Sequence, residues 1–129
     1  MQLLIDTTQK GQILFELWDR SSQIANFQKE TEKLSEEILL ELNQFLKRNK
    51  ISLKQATKIS VNPGPGAFSS TRTGVAVANA LALALGIPVA EWPSGTMKEA
   101  VLPKYDREPN ITKPTKESPP REGEIKRGL

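Results

Sequence analysis

The chain contains no cysteine and no histidine. The first absence excludes disulfides, thiolate metal sites and a cysteine nucleophile, and it is compatible with a reducing compartment. The second removes the commonest general base and a common metal ligand, so catalysis would have to rest on carboxylates, lysine or a borrowed cofactor. Long apolar runs are missing too. Met1-Gln2-Leu3-Leu4-Ile5-Asp6 has no basic start and too short an apolar stretch for a signal peptide, and nothing approaches the length of a membrane span. The expectation is a cytoplasmic protein with no membrane partner. Charge of one sign is also scarce. The net charge is +3, of which the residues beyond Leu102 carry +2, with seven basic and five acidic side chains. No basic face is present that could hold an extended nucleic acid.

What is there suits one domain, since 129 residues leave room for a single core. Leu3-Leu4-Ile5, ended by Asp6-Thr7-Thr8, has the pattern of a central strand buried on both faces. Gln12 to Trp18 is a second strand after the Gly11 turn, and Ser22 to Phe27 a weaker third. From Thr31 to Lys50 the apolar residues Leu34, Ile38, Leu42, Phe45 and Leu46 recur at helical spacing, widened by Leu39 and Leu40. Glu36 and Glu37 near its start and Lys47, Arg48 and Lys50 at its end follow the helix dipole, an effect worth roughly 0.3–1 kcal/mol per group. Lys58 to Asn62 alternates as a strand. Ser69 to Gly86 is a second helix closed by Gly86 and Pro88, and Ile87 to Glu91 a last strand. The order β-β-β-α-β-α-β predicts an α/β fold, a meander followed by right-handed crossovers into a mixed sheet. Beyond Val101, five prolines and twelve charged residues predict a disordered tail, so the expected division is a lobe over 1–96 and a charged, Pro-rich tail over 97–129.

The segment from Asn62 to Gly74 carries the most chemistry. Gly64 and Gly66 permit backbone angles closed to other residues, Pro63 and Pro65 stiffen the turn, and Ser69 and Ser70 offer N-caps to the following helix. A strand, a glycine loop and a helix N-terminus can bind phosphate through free N–H groups, which makes Asp6, Gly64, Gly66 and Ser69 candidate contacts. A purely structural turn is the other reading, because neither Gly-Lys-Ser/Thr nor G-x-G-x-x-G is present. Asp6 could position a metal or phosphate, or simply cap its own turn through Thr7 or Thr8. Arg72 places a cation in the first turn of a helix, against the dipole, which calls for a partner or internal carboxylate unless the side chain is merely solvated. Gly74, Ala78 and Ala82 form a small-residue stripe flanked by Ala76, Ala80 and Ala84, suited to close packing on the sheet or on a partner helix. Because the helix is apolar nearly all round, part of it is free for an interface.

Leu4-Ile5-Asp6-Thr7-Thr8, the helix start Leu34-Ser35-Glu36 and the run from Pro63 to Val89 together resemble the N-terminal lobe of the TsaB (YeaZ) family. That family's Gly-Pro-Gly-Ser/Ala-Phe-Thr-Gly-Leu-Arg-Ile-Gly segment is met by Gly64, Pro65, Gly66, Phe68, Arg72 and Gly74. Ser70 stands where the family has glycine, and Thr71 and Thr73 where it has apolar residues. The resemblance implies a ribonuclease H-like, actin-like (ASKHA) lobe. It further implies a bacterial, non-catalytic subunit with no cofactor or metal of its own, which supports formation of threonylcarbamoyladenosine at tRNA position 37. The implied partners are TsaD, a paralogue, and TsaE, with tRNA contacted only indirectly and homodimers as another pairing. Partners meet through the two helices, which makes Leu34, Ile38, Arg72, Gly74, Ala78 and Ala82 the expected interface. Family members carry a second lobe where this chain turns charged and Pro-rich. The alternative activity is a small nucleotide-binding or hydrolytic enzyme that uses Asp6 and the glycine loop.

Overall fold

The computed structural model of the chain describes residues 1–104. Its elements are β1 (Gln2–Asp6), β2 (Gln12–Asp19), β3 (Ser22–Glu30), α1 (Leu34–Arg48), a 3-10 turn (Leu53–Gln55), β4 (Lys58–Val61), α2 (Phe68–Leu85), β5 (Val89–Glu91) and β6 (Met97–Lys98). The six strands form one mixed sheet in the order β3-β2-β1-β4-β5-β6. Strand β1 is central, antiparallel to β2 and parallel to β4, and β5 lies parallel to β4. The long crossovers through α1 and α2 are what parallel pairing demands.

Both helices cover the same face of the sheet. Strand alternation sends Leu3 and Ile5, Ile13, Phe15 and Leu17, and Ile59 and Val61 to that face, where they join Leu34, Ile38, Leu42, Phe45 and Leu46 of α1 and Val75, Ala78 and Ala82 of α2 in one core. Each large side chain among them contributes about 1.5–3 kcal/mol by leaving water. Phe15 stacks against Phe27 and Phe45 with ring centroids 5.9 and 5.8 Å apart, and the Arg48 guanidinium lies 5.3 Å from the Phe27 ring centre. On the opposite face Leu4, Ser60 and Ala90 occupy neighbouring register positions and are buried, and Trp18 meets Trp92 at 6.0 Å. The tryptophans therefore pack on each other.

Three expectations change. Strand β3 runs to Glu30 rather than ending near Phe27, because Gln28, Lys29 and Glu30 pair with Leu14, Ile13 and Gln12 despite having no apolar signal. The lobe does not stop at residue 96. Val101 is fully buried in the helix-side core, its N–H and C=O held by the Asn79 side chain, and Lys104 N–H reaches Pro63 O at 2.5 Å. The tail expected over 105–129 lies outside the described residues. Finally, α2 starts at Phe68 with Ala67 as N-cap and no side-chain cap, so neither Ser69 nor Ser70 plays that part. Gly86 closes α2 in the left-handed conformation, as its place in the sequence predicted.

An electrostatic clamp ties β3 to α1. The Lys29 ammonium lies 2.5 Å from a Glu41 oxygen and 3.6 Å from Glu37, and the Thr31 hydroxyl donates to Glu37. The hydrogen bond to Glu41 raises the Lys29 pKa, and the one from Thr31 holds Glu37 below its ordinary 4.5. The Glu37 contribution to stability is therefore complete above pH 4.5 and is lost as pH falls through the lower folded value. Thr31→Val should flatten the acid limb of a stability curve measured by urea unfolding between neutral pH and pH 3; an unchanged limb would assign that dependence to other carboxylates.

Candidate functional site

The glycine loop is bound to the end of β1. The Asp6 Oδ1 atom accepts from the Thr8 backbone N–H at 2.9 Å and from the Thr8 hydroxyl at 2.7 Å, and Oδ2 accepts from Asn62 Nδ2 at 3.1 Å. Asn62 Oδ1 in turn accepts from Gly64 N–H at 3.0 Å. Asp6 thus caps its own turn and draws the loop to it, one of its two readings from sequence. Ala67 N–H bonds Thr8 O at 2.8 Å, and a Cβ at Gly66 would stand 2.6 Å from both Thr8 Cβ and Thr8 O. Gly64 has φ +97° and lies against the Lys104 carbonyl, with the Gly64–Pro65 bond cis. Asp6, Gly64 and Gly66 hold backbone to backbone here and form no open cradle.

The small-residue stripe faces inward. A Cβ at Gly74 would overlap the Thr7 hydroxyl, which donates to Ser70 O at 2.6 Å in a buried position. Ala78 and Ala82 are buried on the sheet, as are Leu34 and Ile38 of α1. The five residues Leu34, Ile38, Gly74, Ala78 and Ala82, expected at an interface, are consumed by the chain's own core, so that assignment is corrected. The physical reason is the rotation of α2. With 3.6 residues per turn, burying Gly74, Ala78 and Ala82 turns the other rows outward. Ala76, Ala80, Leu83 and Ala84 are exposed, Leu83 by 85%. On α1 the same geometry leaves Leu39 and Leu40 57% and 55% exposed. These exposed apolar side chains lie on the two helices that cover one side of the sheet.

Arg72 lies on α2 as well. It is exposed, and among the described residues it makes no ion pair or hydrogen bond. Toward the other end of α2, a hollow of 540 Å3 between α1 and α2 is lined by Leu39, Leu42, Leu46, Leu81 and Leu85 together with Ile51 and Leu53. The sequence signal for these exposed side chains was the excess apolar character of α2. The row that faces out could not be read from spacing, since alanine occupies both flanks.

Ser69 lies elsewhere. It lines a groove of 980 Å3 between the β1–β2 turn and the starts of α1 and α2, together with Ser70, which the sequence marked only as a cap. Among the described residues no helix is long and apolar enough to cross a membrane, and no group of three His, Cys, Asp or Glu side chains could hold a metal.

A meander joined by two helical crossovers, with both helices on one face and a glycine loop clasped to the first strand, defines an α/β lobe of the YeaZ kind. Two solved structures share it. One is YeaZ from Pseudomonas aeruginosa, with a TM-score of 0.63 and 24% identity over 70% of this chain and 42% of that one. The other is an uncharacterized protein with similarity to peptidase YeaZ from the same organism, with a TM-score of 0.63, 24% identity, and coverage of 70% and 41%. This chain spans less than half the length of those structures. No curated protein matches it in sequence. The family model described as TsaD, tRNA N6-adenosine threonylcarbamoyltransferase, matches residues 27–94, more than half of the chain, and the chain belongs to that family.

Proposed function

We propose that the chain is a non-catalytic docking subunit in tRNA threonylcarbamoyladenosine formation, which binds a TsaD-like paralogue through the outward faces of α1 and α2. The observation that carries this is the set of exposed apolar side chains, Leu39 and Leu40 on α1 and Ala76, Ala80 and Leu83 on α2, with unpaired Arg72 one turn before Ala76. Burying such side chains against a partner follows from the same hydrophobic term that builds the core. Family membership supports the tRNA setting, and the YeaZ-like fold supports the subunit type. TsaE is proposed to join the pair, and tRNA to be met only through the assembly. Support for a non-catalytic role comes from Asp6, whose two carboxylate oxygens are engaged with Thr8 and Asn62 within the chain.

The test is co-expression with the TsaD-like subunit encoded in the same genome, followed by size-exclusion chromatography and sedimentation. A stoichiometric heterodimer is the expected result. A chain that elutes alone, or only as a pair of identical copies, would overturn the heterodimer reading.

A further inference from the structure

The hollow between the C-terminal halves of α1 and α2 combines an apolar lining with charge of one sign. Leu42 and Leu46 are buried at its base, and Ile51, Leu53, Leu81 and Leu85 are half-buried around it. Lys47 and Lys54 line it as well, both exposed, and no acid does. Among the described residues neither lysine has an ion pair. Glu41, the last acid of α1, is taken by Lys29 of β3. The two helix C-termini bring about half a negative charge each, less than the two ammonium groups supply, so the rim is positive. The hollow is open to solvent. An open hollow does not enclose most of a small ligand, as small-molecule pockets do, whereas it can receive the apolar face of a helix laid along it.

We propose that this groove takes one acidic amphipathic helix of a partner protein, whose leucine-type side chains enter between α1 and α2 and whose carboxylates meet Lys47 and Lys54. Burial of the apolar row supplies the affinity. The lysines select the partner, since a basic segment would set like charges against the rim while an acidic one gains two complementary pairs. The groove adjoins the outward helix faces through Leu39, which lines it. It does not rest on the docking reading, because an isolated helix can be offered to this chain alone, and the failure of either proposal would leave the other standing.

The experiment is an NMR titration of the 15N-labelled full chain with a synthetic helical peptide of about 15 residues, bearing leucines at helical spacing on one face and glutamates on its flanks. A twin peptide with lysine for every glutamate serves as the comparison. Saturable shifts of the Lys47, Leu53, Lys54 and Leu85 amides are expected with the glutamate peptide, which should bind about tenfold tighter than its twin. In the double variant Lys47→Glu/Lys54→Glu the preference should reverse toward the lysine peptide. That reversal is a gain of binding and cannot arise from misfolding. No saturation by the glutamate peptide, equal affinity for the two peptides, or a preference unchanged in the double variant would each overturn the proposal. Sodium decanoate probes a small amphiphile instead, and saturation by it with none by the glutamate peptide would assign the groove to such a ligand and overturn the partner reading.

Discussion

Replacing Leu40 and Leu83 together by lysine is expected to abolish the complex with the TsaD-like partner while leaving the free lobe folded. Leu83 is 85% exposed and Leu40 55%, so little burial is lost in the free chain. Lysine has nearly the helix propensity of leucine, and at position 40 it gains Glu36 and Glu37 as neighbours one turn back. The change in unfolding free energy should therefore stay within about 1 kcal/mol. At an interface the same two changes remove apolar contact and bury two ammonium groups. Central interface side chains cost about 2 kcal/mol or more each when lost, so the pair should weaken association by a factor of about a thousand. Isothermal calorimetry against the purified partner reads the affinity directly. Undiminished binding would move the docking site away from these faces.

Gly74→Ala is expected to act on the fold and not on docking. Its added methyl would occupy the place of the Thr7 hydroxyl, and Thr7 is 1% exposed and bonded to the Ser70 carbonyl. Either α2 backs away from β1 or the hydroxyl loses its acceptor. Overpacking costs about 1–3 kcal/mol, and an orphaned buried hydroxyl about the same. Replacing a helical glycine returns about 1 kcal/mol, so the net loss should be about 1 kcal/mol and at most about 2 kcal/mol in urea unfolding. Thr7→Ala removes both the clash and the hydroxyl, so the double variant should recover much of the loss, with a coupling energy above about 1 kcal/mol. If Gly74→Ala instead weakened partner binding at unchanged stability, the glycine would belong to the interface after all.

The order of elements as far as β5 was legible because each one carried its own signal, whereas β6 (Met97–Lys98), in the segment expected to be tail, is strand only by pairing with β5. Leu3-Leu4-Ile5 is a run buried on both faces, α1 repeats its leucines at helical spacing, and Gly86 with Pro88 marks a stop. The polar end of β3 carried no such signal, because Gln28 to Glu30 are strand only by pairing with β2. Likewise Val101, one apolar residue near a Pro-rich stretch, owes its burial to the Asn79 side chain that clasps it from α2.

By itself, the sequence determined the α/β class, the helix and strand order as far as β5 and the glycine loop, since periodicity and turn chemistry are local properties. It also excluded thiol and imidazole chemistry outright. Only the tertiary structure decided what the loop and α2 do. Asp6 turned out to clasp the loop, and the stripe of Gly74, Ala78 and Ala82 turned inward, because the close approach of α2 to Thr7 needs a residue without Cβ. That approach sets the rotation of a helix apolar on every side, and with it the face left for a partner.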